Sequence, residues 1–294
     1  MPLRVSSLDD VAAVSPSDVW AVGQGGGDCT AGGKEEAIHW DGSQWTNMAI
    51  NLFCDAEDVN LASVAVVKPN ELWAVGIDIE PGPVGVTIYN NLALHWTGGK
   101  HWTKYDFRDD ADTNGLTSVR AASPNDVWAV GGIVYRHSTS YDQIYHWDGS
   151  RWSLMEFRNP ERVGGLIGLG VVSARDVWAV GAQKVSEKGP IEPLILHWDG
   201  TTWAKIPHAK SDEGAYLASV VAVSANDVWA VGSGPPDGPH VEHWNGSEWS
   251  TIPTDFQATL TGVGVIPGNQ SVWAVGSAPE QQFGVQSLAI DYRC

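Results

Sequence analysis

One six-residue segment constrains this chain more than any other feature. Asp18-Val19-Trp20-Ala21-Val22-Gly23 returns, intact or with one or two changes, with its Trp at 73, 128, 178, 229 and 273. The copies stand about 44–55 residues apart, a length larger than a hairpin and smaller than a domain. Nearly all of the 294 residues belong to such units.

Every unit has the same anatomy. An apolar run comes first, as in Leu61-Ala62-Ser63-Val64, Leu116-Thr117-Ser118-Val119 and Leu217-Ala218-Ser219-Val220. A tight turn follows (Ser123-Pro124-Asn125-Asp126, Ser224-Ala225-Asn226-Asp227), built from residues that pre-set φ or bond their own backbone. The Trp strand and a loop of variable length come next. A third strand then ends on His-Trp at 39–40, 95–96, 146–147, 197–198 and 243–244. Asp41-Gly42, Asp148-Gly149, Asp199-Gly200 and Asn245-Gly246 give a second turn that needs φ > 0. A fourth strand opens on Trp45, Trp102, Trp152, Trp203 or Trp249.

Four short antiparallel strands cannot bury both faces alone, but stacked radially each sheet covers its neighbour. The expected fold is therefore an all-β, six-bladed β-propeller of four-stranded antiparallel blades in a single domain. The blades are expected at about 8–50, 61–105, 116–156, 166–207, 217–253 and 260–294. The sixth copy has Asp291-Tyr292 in place of His-Trp and no fourth strand before Cys294. Residues 2–6 are expected to supply that strand and close the ring.

The unit Ser-x-Asn-Asp-Val-Trp-Ala-Val-Gly … His-Trp-Asp-Gly-Ser-x-Trp resembles bacterial Trp-rich propeller repeats. It is also similar to the Asp-box repeats of sialidase-type and photosystem-assembly-factor-type propellers. The resemblance covers nearly the whole chain and implies the fold. Propellers host binding modules and unrelated enzymes alike, so function has to come from the residues of a site.

Strand order separates two sets of connections. The turns between strands one and two, and three and four, share one end and are nearly constant. The loops between strands two and three, and between blades, share the other end and diverge, so a ligand site is expected there, around the central channel. The candidate ligand-binding residues on that face are Phe107, Arg108, Tyr135, Arg136, Tyr141, Phe157, Arg158, Tyr216 and Phe256. Aromatic faces stack on sugar rings or apolar side chains, and arginines supply forked donors.

Asp110-Ala111-Asp112-Thr113-Asn114-Gly115 places oxygen donors at alternate positions, which makes Asp110, Asp112 and Asn114 candidate ligands for Ca²⁺. Ala121 stands where an EF-hand has its closing Glu, which excludes that motif. No cofactor is required by the sequence. Cys29 and Cys54 both fall in loops of the variable face and are a candidate disulfide. If bonded, they point to a secreted or cell-surface protein, and otherwise the chain reads as cytoplasmic. The repeated His is expected to hold its own turn. In His240-Val241-Glu242-His243 the two His stand three apart on a strand and face opposite ways, against a shared metal.

The formal net charge is −18, which argues against nucleic-acid and anionic-membrane partners, and no segment has the length and apolarity of a membrane span. Nucleophile-elbow, zinc-protease, phosphate-loop and dinucleotide motifs are absent from the sequence. The expected function is a monomeric, non-catalytic binding module for a glycan or a protein. The alternative is a glycan-directed, sialidase-like hydrolase or lyase at the channel mouth, for which Arg108, Arg136, Arg158 and Arg162 beside Tyr135 and Glu156 are the candidate set.

Overall fold

The computed structural model describes residues 5–25, 35–48, 50, 58–82, 87–99, 101–107, 115–132, 142–155, 157, 164–184, 189–210, 213–236, 238–266, 271–280 and 284–292. Among these the secondary structure is all β, in six sheets that are the blades of a β-propeller. By internal contacts the chain divides into two compact units, the first holding blades one to three and the second blades four to six.

In the first unit, blade one is β1 (Val5–Ser15), β2 (Asp18–Gly25), β3 (Glu35–Trp40) and β4 (Trp45–Asn47). Blade two is β5 (Asp58–Lys68), β6 (Glu71–Pro81), β7 (Thr87–Trp96) and β8 (Trp102–Phe107). Blade three is β9 (Leu116–Ser123), β10 (Asp126–Gly132), β11 (Asp142–Trp147) and β12 (Trp152–Leu154). In the second unit, blade four is β13 (Gly164–Ser173), β14 (Asp176–Lys184), β15 (Ile191–Trp198) and β16 (Trp203–Lys205). Blade five is β17 (Tyr216–Ser224), β18 (Asp227–Gly234), β19 (Gly238–Trp244) and β20 (Trp249–Thr251). Blade six is β21 (Thr259–Val265), β22 (Val272–Glu280) and β23 (Gly284–Tyr292), three strands among the described residues.

Of the N-terminal residues expected in blade six, those described begin at Val5. Val5 opens β1 and pairs with Gly25 in blade one. Extending an existing hairpin ladder closes no new loop, whereas pairing with a distant strand does.

The repeat is legible contact by contact. In each blade the register of strand one slips by one residue opposite the Val-Gly step of strand two, as between Leu61 and Ser63 or Leu217 and Ser219. The slip brings the strand-one backbone over the glycine. A Cβ on Gly76 would lie 1.9 Å from the Asn60 carbonyl oxygen, and one on Gly232 2.0 Å from that of Tyr216. Only glycine fits such a close approach at a bulge.

The Trp of strand two is the knob between blades. Trp20 packs on Trp96 and Trp102, Trp73 on Trp147 and Trp152, and Trp178 on Trp244 and Trp249. In blade six Tyr292 replaces the receiving Trp, and its ring lies 5.5 Å from that of Trp229. Each such ring buries roughly 150–250 Å² and adds offset or edge contacts.

The repeated His stacks on the same Trp, at 4.0–4.3 Å between centroids. Its Nε2 meets the carboxylate that opens strand two: Asp18, Glu71, Asp126, Asp176 or Asp227. A carboxylate only accepts, so Nε2 carries the proton. The His row is therefore structural, as its periodicity implies.

Candidate binding face

At the constant end the polar groups are consumed by the turns themselves. Asp41 Oδ1 accepts from Ser43 N, Ser43 Oγ and Gln44 N at 2.7–2.9 Å. Asp148 and Asp199 repeat the pattern, and Asn245 does so with a neutral amide. The neighbouring hydroxyl and two backbone N–H groups hold the three carboxyls down at about 2. The Trp of the His-Trp pair donates to a carbonyl of the first turn, Trp40 to Pro16, Trp198 to Ala174 and Trp244 to Ala225, tying the two turns together.

The opposite end departs from the repeat. Strand three of blades two and four carries a buried Leu-x-Leu, Leu92 and Leu94 or Leu194 and Leu196. These pair with Gly76 and Ala74, or Gly181 and Ala179. At the same register in blade five, opposite Gly232 and Ala230, stand His240 and Glu242. Two leucines of the blade core have become an imidazole and a carboxylate.

Glu242 is 0% exposed, and both of its oxygens are engaged. His240 Nε2 donates to Oε1 at 2.7 Å, and the Ala209 N–H donates to Oε2 at 2.8 Å. Ala209 lies in the connection from β16 to β17, which Gly214 N further pins to the Ile191 carbonyl at 2.8 Å. His208 in that connection donates Nδ1–H to the Ala209 carbonyl at 2.5 Å. Its ring sits between two carboxylates, with Nδ1 4.0 Å from Glu242 Oε1 and Nε2 4.0 Å from Glu192 Oε2. Gln183 on β14 donates Nε2–H to the other Glu192 oxygen at 2.7 Å.

A second buried polar cluster lies at the corresponding end of the first unit. Asn91 Nδ2 donates to Gln143 Oε1 at 2.9 Å and lies 3.5 Å from the Tyr145 hydroxyl. Gln143 and Tyr145 stand at the ends of the same alternate-residue pattern on strand three of blade three. On the opposite face of blade two, Asp78 is buried and accepts from Lys104 Nζ at 2.7 Å.

Of the residues expected to bind ligand, Phe107 belongs to the core. It is 9% exposed and packs on Tyr145 and Trp152 at 4.6 and 5.8 Å, because the last residue of β8 points between blades two and three. Phe157, Tyr216 and Phe256 are partly buried in or beside inter-blade connections. Arg108, Tyr135, Arg136, Tyr141 and Arg158 lie outside the described residues, as do Asp110, Asp112, Asn114, Cys29 and Cys54. No group of three or more His, Cys, Asp or Glu among the described residues could hold a metal ion. His240 and His243 diverge as their spacing requires, His243 turning to Asp227.

Sequence reasoning missed His240 with Glu242. The signal was the pair two apart, which shares a face, rather than the two His three apart. Aligning the copies exposes it, since His-Val-Glu stands where two other blades have Leu-x-Leu. Glu192 and His208 carry no such signal, because they come from diverged segments that meet only in the fold.

The chain matches no protein-family model and no curated protein sequence. Solved structures resemble it across nearly its full length at low identity. YCF48 bound to D1 peptide is 17% identical, with a TM-score of 0.56 over 98% of this chain and 83% of that one. The six-bladed fucose-recognising lectin of the fungus Aleuria aurantia is 12% identical, with a TM-score of 0.54 over 98% and 93%. Trypanosoma rangeli sialidase is 12% identical, with a TM-score of 0.58 over 97% of this chain and 54% of that one. The likeness establishes the propeller fold. These neighbours include binding propellers and a glycan-processing enzyme.

Proposed function

We propose that the chain is a non-catalytic binding module that recognises a protein or glycan through its variable-loop face. One observation carries this reading: within each unit, buried polar side chains that depart from the repeated apolar core lie at that end, Asn91 and Gln143 in the first and His240 and Glu242 in the second. At the constant end the carboxylates are spent on their own turns. Buried polar groups cost stability unless they are fully paired, so their concentration where the loops diverge marks the face that the repeat does not explain. A peptide-bound and a fucose-recognising propeller share the fold, which supports a binding role on this scaffold.

The test is parallel screening of purified protein on peptide and glycan arrays, with Glu242→Gln and Tyr216→Ala as face variants. Binding weakened by these and unchanged by Asp148→Asn at the opposite end is the expected result. Binding insensitive to both face variants overturns it.

A glycan-directed hydrolase is the second reading. Glu192 and Glu242 flank one imidazole, and paired carboxylates are what glycoside hydrolysis uses. That reading requires turnover of a glycan that Glu192→Gln and Glu242→Gln each abolish.

A further inference from the structure

The structure assigns Asn245 as an acceptor of N-linked sugar, taken from a glycosyl diphosphate by a glycosyltransferase that reads the folded turn at the constant end of blade five. This goes beyond the binding reading and does not rest on it.

The sequence supplies half of the argument. The second turn of blades one, three and four is Asp-Gly followed by Ser or Thr, at 41–43, 148–150 and 199–201. In blade five it is Asn245-Gly246-Ser247. A carboxylate has no nitrogen to give, so among these four turns blade five alone carries an amide. It does so with the Asn-x-Ser spacing of an N-glycosylation acceptor. Asn269-Gln270-Ser271 has the same spacing, and Asn269 lies outside the described residues.

Geometry supplies the other half. Oδ1 of Asn245 accepts from Ser247 N at 2.9 Å, Ser247 Oγ at 2.8 Å and Glu248 N at 3.1 Å. An amide oxygen accepts and its nitrogen donates, so three donors fix which branch of the amide is the oxygen. Nδ2 is then the branch the turn does not use, with no hydrogen-bond partner among the described residues. Residues 245–248 are all exposed, so a transferase reaches the turn with the blade folded. Ser247 is at once the hydroxyl of the spacing and a donor that holds the amide.

The same contacts bear on reactivity. An amide nitrogen is a poor nucleophile because its lone pair is delocalised onto the oxygen. It becomes a better one as it sheds a proton, and the charge then collects on Oδ1. Donors already aimed at that oxygen stabilise the charge without rearranging. The sister turns show the effect with a real charge: the neighbouring hydroxyl first, then two backbone N–H groups, hold Asp41, Asp148 and Asp199 down at about 2. In the transfer, Nδ2 gives a proton to a base of the transferase and bonds to the anomeric carbon. The bond from that carbon to the diphosphate oxygen breaks, and the diphosphate leaves with the electron pair.

Placement agrees with the binding role. His240 and Glu242 stand on β19 toward the variable end, and the same strand runs on to Trp244 and the Asn245 turn at the other. Sugar on Asn245 therefore leaves the variable loops of blade five open.

The experiment incubates the folded full chain in two arms. One uses oligosaccharyltransferase membranes with a lipid-linked oligosaccharide diphosphate, the other a soluble N-glycosyltransferase with UDP-glucose, and peptide mass spectrometry maps the sugar. The proposal expects sugar on Asn245 in at least one arm, which names the carrier of the donor, and its loss in Ser247→Ala. It also expects a second modified position in Asp148→Asn, where Ser150 and Arg151 already place three donors at 2.6–3.0 Å. Asn245 unmodified in both arms overturns the assignment, as does sugar on Asn269 alone or conversion of Asn245 to aspartate without sugar. An Asp148→Asn chain modified at Asn245 but not at 148 overturns the claim that the turn is what is read. If Ser247→Ala does not fold, the Asp148→Asn comparison still decides.

Discussion

His95 lies flat on Trp73, with ring centroids 4.0 Å apart and planes 4° from parallel, and its Nε2 meets Glu71 Oε1 at 3.3 Å. Burial pushes the imidazole below its ordinary range, against the pull of the Glu71 carboxylate. Burial raises Glu71 in turn, but hydrogen bonds from Lys68 and His95 outweigh it and leave Glu71 lowered. Both shifts have one sign. A group whose folded value is depressed contributes stability above its unfolded value and loses it as pH falls through the folded one. For His95 the loss begins below about pH 6.5 and for Glu71 below about 4.3. The expected outcome is that His95→Gln flattens the fall in melting temperature between neutral pH and pH 5. An unchanged slope would show that His95 does not titrate with unfolding.

The three turn carboxylates make a separate acid-sensitive set. Asp41, Asp148 and Asp199 are held down at about 2, first by the neighbouring hydroxyl and then by backbone N–H groups. Their contribution is complete above about pH 3.9 and is lost as pH falls toward 2. Asn245 makes the same three contacts without titrating. The triple variant Asp41→Asn, Asp148→Asn, Asp199→Asn should therefore keep its neutral-pH fold and lose less stability than the parent between pH 4 and pH 2. Circular-dichroism melts across that window make the comparison, and parallel curves would count against the turn carboxylates.

The bulge glycines predict a steric effect with its own control. A Cβ on Gly181 would lie 2.0 Å from the Gly165 carbonyl oxygen, whereas one on Gly165 meets nothing within 4 Å. Gly181→Ala must therefore move one of two paired strands, at a cost of about 3 kcal/mol or more, since backbone cannot repack as a side chain does. Gly165→Ala should stay within about 0.5 kcal/mol of the parent. Urea denaturation of the two variants is the measurement, and similar midpoints would contradict the close approach.

These contacts show why the fold was legible in the sequence. Trp73, His95 and Gly76 each serve a neighbour at a fixed offset, so the same demand recurs in every blade and writes itself as a period. The sixth copy was legible in the same way, because Tyr292 still receives Trp229. The face was less legible. Phe107 looked like a loop aromatic because its position closes a strand, and only the packing of Tyr145 and Trp152 shows it to be core. Glu192 and His208 answer to each other and to no period, so their meeting follows from the fold alone.

The substitution of His240 and Glu242 for a leucine pair sets function against stability in one place. The leucines at this register in blades two and four are fully buried without a polar partner. Restoring them with His240→Leu and Glu242→Leu removes a desolvated pair together, and such replacements are neutral or stabilising by about 1–4 kcal/mol. Removing one member is different. His240→Ala leaves the fully buried Glu242 carboxylate with the Ala209 N–H as its remaining close donor, and an uncompensated buried charge costs about 3–5 kcal/mol. The single variant should therefore unfold at markedly lower urea than the parent, and the double variant at equal or higher urea. The double variant also releases Ala209, and with it the placement of His208, so it should keep or gain stability while losing ligand binding at the variable face. If the double variant is as unstable as the single one, the His-Glu pair is part of the blade's own packing and not a departure from it.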